Sequence, residues 1–180
     1  MALPVQQGEW TLDMAHSTIG FAVAHLGITT VRGRFTAGSA KLAVGADLAS
    51  SSLTTEIAMA SVDTGNSDRD GHLRSTDVFN VETQPTMAFQ STSISETGDG
   101  SYQVTGDMTI NGQTKPETLS VTFSGTEVFP MDGSSRAGFS ASGTIDKTAY
   151  GIEFNVPLAA GGFMLSDNIE VTIDAQLVAS

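Results

Sequence analysis

Three histidines, a scatter of carboxylates and two tyrosines are the groups with which this chain could do proton or metal chemistry. His16, His25 and His72 lie close in sequence to Asp13, Asp68 and Asp70, and Asp70-Gly71-His72 sets a carboxylate and an imidazole two residues apart. Three imidazoles can hold zinc or iron, and a single one can ligate haem. The spacing here follows no metal-binding pattern. His16 and His25 are an odd number of residues apart, so on one regular strand they would face opposite sides. With no cysteine in the chain, disulfides, iron–sulfur clusters and thiolate zinc sites are excluded. No G-x-S-x-G elbow, Walker-type loop or strand-following G-x-G-x-x-G occurs, and adjacent His16-Ser17 is not the geometry of a catalytic triad.

His25 shares its parity with Phe21 and Val23, so if those face inward it does too. An inward imidazole can be a hydrogen-bonded core residue, an anchor for a ligand head group or a general base, and the residue pattern leaves all three open. The apolar side chains are more informative. Nine Phe and seven Met stand against one Trp and two Tyr. Met59, Met87, Met108, Phe89, Phe123 and Phe139 all fall on strand-like runs. Such residues fill a core, and as a set flexible Met with Phe also suits a channel for an irregular chain. A tail of about ten buried methylenes would contribute on the order of 8 kcal/mol, near-micromolar affinity before entropy costs.

These residues sit on elements that read almost throughout as half-buried antiparallel strands. Ile169, Val171, Ile173, Ala175 and Leu177 alternate with Glu170, Thr172, Asp174 and Gln176, and the same period of two recurs over 102–110, 118–124 and 139–146. Further runs lie near Thr18–His25, Val31–Leu42, Leu53–Val62 and Thr86–Ile94. Asn111-Gly112 is the strongest hairpin signal, with Gly98-Asp99-Gly100 and Met131-Asp132-Gly133 marking further turns. Ser67 to Phe79 breaks the alternation and reads as a short helix capped by Asn66 or Ser67 and weakened by Gly71. About eight locally joined strands predict a sandwich or closed barrel, all-β, over one domain spanning residues 1–180. A closed eight-stranded barrel has an interior just wide enough for side chains or one small ligand.

The 180 residues carry eight Lys and Arg against 20 Asp and Glu, a net charge of −12. That balance argues against nucleic acid and anionic lipid surfaces as general partners. Acidic side chains on the polar faces form a solvated shell. No apolar run of about 18 residues occurs, so no helix inserts stably in a membrane. The first ten residues lack a basic and an apolar signal region, so the expected location is cytoplasmic.

Several segments together resemble the YceI-like family. They are Trp10-Thr11-Leu12-Asp13, His16-Ser17-Thr18-Ile19-Gly20-Phe21, His25-Leu26-Gly27 and Val31-Arg32-Gly33-Arg34-Phe35. Asp70-Gly71-His72-Leu73-Arg74-Ser75, Asp77-Val78-Phe79-Asn80, Pro85-Thr86-Met87-Ala88-Phe89 and the run from Gly106 to Pro116 continue the likeness. Gly138-Phe139, Ile145-Asp146-Lys147, Tyr150-Gly151 and Leu165-Ser166-Asp167 complete it. Lys147 stands where the pattern often has Arg. The resemblance implies a lipocalin-like, eight-stranded antiparallel barrel with a helical insertion around residues 67–79. It implies an elongated apolar interior that binds a polyisoprenoid or related amphiphile, such as a prenyl quinone, a prenyl phosphate or a fatty acyl compound. Many relatives are periplasmic, a point on which this chain departs.

The expected ligand-lining set is Phe21, Val23, His25, Met59, Leu73, Arg74, Phe79, Met87, Phe89, Met108, Phe123, Phe139, Tyr150 and Phe154, with His25, Arg74 and Tyr150 meeting the head group. Neither a cofactor nor a catalytic set is required by this reading, and a homodimer is compatible with it. The competing readings are an enzyme on the same barrel acting on an isoprenoid or using a metal at His16, His25 or His72, a haem protein with His25 as axial ligand, and a barrel filled solidly by its own Phe and Met.

Overall fold

The computed structural model describes residues 2–180. Its strands are β1 (Gly8–Leu12), β2 (Thr18–His25), β3 (Thr29–Phe35), β4 (Gly38–Val44), β5 (Ser52–Ala58), β6 (Val62–Asp63), β7 (Thr86–Gly98), β8 (Ser101–Ile110), β9 (Gln113–Val128), β10 (Ser135–Asp146) and β11 (Leu165–Ala179). They form one antiparallel sheet that closes where β1 and β2 both pair with β11. Three staves of the barrel are bent. A 3-10 turn at Met14–His16 divides β1 from β2, Thr36 and Ala37 divide β3 from β4, and a second 3-10 turn at Met59–Ser61 divides β5 from β6. Counting each bent pair once leaves an eight-staved, lipocalin-like up-and-down barrel. The bends are tied to each other: Ser61 Oγ accepts from the Thr36 and Ala37 amides. The sequence signals give Val31–Leu42 and Leu53–Val62 as single strands, which matches bent staves, but they miss β1, where Trp10 is 2% exposed.

The hairpin at Asn111-Gly112 forms as expected, with both residues at positive φ (51° and 74°), the geometry of a type I′ turn. The helical insertion is shorter than expected. Helix α1 (Ser67–Arg74) starts where Asn66 Oδ1 accepts from the Arg69 amide and stops at Ser75, whose Oγ and amide both donate to the His72 carbonyl. Ser, Thr and Asp at 75–77 compete with the helix for backbone groups, so the chain turns instead of continuing to Phe79.

The two barrel ends differ. At one, Leu3, Val5 and Trp10 are buried against Tyr102, Phe139 and Leu177 and form a plug. A charged network clamps the outside of this end. Arg136 Nη1 donates to Asp13 Oδ2 at 2.5 Å and its Nη2 to Asp132 at 3.1 Å, while its guanidinium lies 4.7 Å from the Phe129 ring centre. His16 Nδ1 lies 2.8 Å from the same Asp13 carboxylate. The His16 bond first, then Arg136, holds Asp13 below the usual carboxylate range, and Ser134 and Thr148 do the same for Asp132 and Asp146. A carboxyl with a lowered folded pKa favours the fold only while ionised, so its contribution is full above its unfolded value and is lost as pH falls through the folded one. Melting temperature is therefore expected to hold from neutral pH down to about pH 5 and to drop below about pH 4, with Asp13→Asn flattening that acid limb. A pH series of thermal melts checks this.

Candidate functional site

The barrel encloses a cavity of about 740 Å³ that runs most of its length, inside the usual range of about 300–1,000 Å³ for ligand sites. The folded chain exposes 9490 Å², against the roughly 8,300 Å² expected for its mass, and the excess is consistent with an interior wall. The strand alternation builds that wall. Ile169, Val171, Ile173, Ala175 and Leu177 of β11 all face it, as do Tyr102, Val104, Met108 and Ile110 of β8.

Most of the expected lining residues meet here. Phe21, Val23 and His25 project from β2, Met59 from the second 3-10 turn, Leu73 from α1 and Phe79 from the turns after it. Met87, Phe89 and Met108 come from β7 and β8, and Phe139, Tyr150 and Phe154 complete the set. Two expected residues stand elsewhere. Phe123 has inward parity, but it lies at the plugged end, its ring packed 5.4 Å from Phe139. Arg74 donates from Nε to the Ala60 carbonyl and from Nη2 to the Val62 carbonyl, at 2.8 and 2.9 Å. It ties α1 to the bent stave, off the cavity wall.

At the plugged end Leu3, Leu42, Tyr102, Phe139 and Leu177 are buried, whereas His25, His72, Phe154, Met164 and Leu165 at the other are only half-buried and Arg69 is exposed. The cavity thus opens between α1 and the loop 147–164. Polar groups gather at this mouth. Arg69 donates to Thr64 Oγ1 (2.7 Å) and the Thr64 carbonyl (2.9 Å) through Nε and Nη2, which leaves Nη1 without a protein partner among the described residues. Thr64 is in turn held by the buried Asp70, whose Oδ1 accepts from its amide and hydroxyl. Lys147 is buried; its Nζ donates to the Ile152 and Phe154 carbonyls and lies 3.4 Å from Asp167. His72 contacts Asp77 at 3.2 Å and stacks edge-on to Phe154 at 4.5 Å. Tyr150 is fully buried and donates to Glu117 Oε1 at 2.7 Å; burial first, then that carboxylate, raises its phenol well above the ordinary value.

Arg69, His72, Thr64 and Lys147 were not in the expected set. Lys147 was legible, because it shares parity with Ile145, which faces inward. Arg69 carries no such signal, since its helix has no apolar stripe. The three histidines are not brought together: His16 is at the plugged end and the other two at the mouth. Among the described residues no three His, Asp or Glu side chains gather in one place. Charge is distributed unevenly. Acids outnumber Lys and Arg 20 to 8 in the chain, yet among the described residues the wall carries Arg69, Lys147, His25 and His72 and no Asp or Glu.

Comparison with known proteins agrees with this architecture. The YceI-like domain profile matches residues 10–177. A UPF0312 protein of Staphylococcus epidermidis is 40% identical over 169 residues, 93% of this chain and 96% of the relative. One from Staphylococcus aureus is 37% identical over 174 residues, covering 95% and 98%. The crystal structure of the Campylobacter jejuni YCEI protein is similar at TM-score 0.71 and 29% identity, over 94% of this chain and 96% of the other. Burkholderia cenocepacia BcnA shares the fold at TM-score 0.78 and 24% identity, over 94% and 99%. So does a polyisoprenoid binding domain from Saccharophagus degradans, at TM-score 0.66 and 16% identity, over 95% and 98%. With its profile matched from Trp10 to Leu177 and its barrel shared, this chain belongs to the YceI-like family.

Proposed function

We propose that this protein binds a long-chain amphiphile of the polyisoprenoid type in its barrel, tail inward, for carriage or sequestration rather than turnover, and that the head group is anionic, as in a prenyl phosphate. The observation that carries the reading is the cavity: apolar along its length, plugged at one end, and edged at its mouth by cations with no carboxylate on the wall among the described residues. At about 30 Å³ for each water-sized group, its volume accepts on the order of 25 heavy atoms. The description of the Saccharophagus domain as polyisoprenoid-binding supports the tail class. Arg69 Nη1 and the imidazole of His25 are the groups free to meet the head, and Arg69 is preset by its two bonds to Thr64.

Organic extraction of the purified protein, followed by mass spectrometry, should release such an amphiphile or show uptake after incubation with a panel; no uptake of any prenyl or acyl chain would overturn the reading. Titration with a prenyl phosphate and the prenyl alcohol of equal length tests the head group. A hydrogen bond to a charged group contributes about 1.5–3 kcal/mol, so Arg69→Gln should weaken the phosphate roughly 10- to 100-fold and leave the alcohol unchanged. Equal losses for both ligands would make Arg69 a structural residue only.

A further inference from the structure

The mouth is edged by more than polar groups. Of the six large hydrophobic side chains that stand exposed among the described residues, four belong to it: Leu26 at 40%, Ile28 at 79%, Val156 at 44% and Phe163 at 61%. The remaining two, Val128 at the end of β9 and Met131 in the β9–β10 loop, are at the plugged end. The four come from two segments, the β2–β3 turn and the loop 147–164, that are fastened together where the Leu26 amide donates to the Met164 carbonyl at 2.7 Å. Within the loop, Pro157 and Phe163 form an isolated antiparallel bridge, so Phe163 is presented from an ordered backbone.

Leu26 adds an independent sign. Among the described residues three non-glycine ones have positive φ; two are asparagines, which tolerate it, and the third is Leu26 at 55°. A bulky apolar residue in the left-handed region, beside a glycine that would suit it better, is costly, and such strain points to a functional demand on the side chain.

From these observations we infer that the apolar rim is a docking surface for a lipid bilayer, on which the protein sits mouth-down to exchange its ligand. The inference rests on the proposed amphiphile-binding role. Its occupant follows from continuity with the cavity. The other end is plugged, so a tail leaving through the rim passes straight from the apolar wall into whatever the rim touches, and only a lipid surface keeps it out of water. The rim's exposed apolar area is on the order of 400 Å², which suits shallow insertion and falls well below the roughly 800 Å² per partner of a stable dimer. With a net charge of −12 the chain is not drawn to anionic surfaces, so the attraction is apolar and resists salt.

The test is co-sedimentation of the full chain with phosphatidylcholine vesicles, beside the double variant Ile28→Ser, Phe163→Ser, which removes the apolar side chains without adding charge beside the head-group site. Both positions are exposed turn or loop sites, and thermal melts verify that the variant folds. The wild type should sediment with vesicles equally at low and high salt, and the variant should lose at least tenfold in partitioning. Its affinity for a soluble short-chain prenyl phosphate should stay at the wild-type value. Transfer of a fluorescent prenyl ligand should speed up with acceptor vesicle concentration for the wild type and not for the variant. No vesicle binding by the wild type, or equal binding by the variant, overturns the inference. So does a wild-type dimer that the variant dissociates without any vesicle binding, because the rim then belongs to a second copy. The amphiphile-binding role fails separately, in the solution titration.

Discussion

Replacing Ala141 with tryptophan is expected to lower affinity for a long prenyl chain roughly a thousandfold while leaving the barrel folded. Ala141 sits mid-wall on β10, in register with Val121 of β9 and Ile173 of β11, and all three line the cavity. An indole projecting there occupies the path between mouth and plug, so only the first half of a ligand tail finds room. Excluding about five methylenes at about 0.8 kcal/mol each removes about 4 kcal/mol, or roughly 10³ in affinity. Because the indole enters a cavity and not a packed core, the melting temperature should change little. Isothermal titration with a chain-length series reads the effect: the variant should bind short chains nearly as the wild type does and long chains no better than short ones. Phe123→Leu is the control, since Phe123 packs at a tilt against Phe139 away from the wall and its loss should not change affinity. A wild-type response of Ala141→Trp to chain length would mean that the tail lies elsewhere.

Gly106→Ala is expected to produce a large loss of stability from a single methyl. Gly106 faces inward on β8, and a Cβ there would stand 2.4 Å from the Gln90 carbonyl oxygen and 2.5 Å from Phe89 Cζ. The carbonyl belongs to the paired strand β7, where the register already shifts between Ser91 and Ser93, so relief requires opening the ladder. Overpacking of this kind costs about 1–3 kcal/mol, and the backbone contact puts this case at the upper end. For a chain of this size that is a drop of roughly 6–12 °C in melting temperature. Gly71→Ala gives the opposite sign for comparison. Gly71 is exposed within α1 with nothing within 4 Å of its would-be Cβ, so alanine should stabilise by about 0.5–1 kcal/mol. Differential scanning calorimetry of both variants decides; an unshifted Gly106→Ala would show that β7 and β8 can separate without cost.

The sequence by itself determined the wall. A period of two with Phe, Met, Val and Ile on one face can be satisfied only by strands that bury that face, and turn residues such as Asn111-Gly112 dictate where the chain reverses. Hence β8, β10 and β11 and their inward residues are legible in the sequence, and the parity of Lys147 with Ile145 carries the signal for its inward turn. The family motifs extended that reading to the closed barrel. Where a side chain sits along the barrel axis was decided by the tertiary structure alone. Parity tells inside from outside but carries no information about depth, so Phe123 shared the inward face and yet became part of the plug built by Leu3, Val5 and Trp10. Helix α1 is likewise placed by bonds that reach beyond it, Arg74 to the Ala60 and Val62 carbonyls and Asp70 to Thr64, which turned Arg74 away from the mouth and brought Arg69 to it. The mouth itself gathers residues between 25 and 165, and no local pattern encodes a meeting across that separation, because only barrel closure brings those loops to one end.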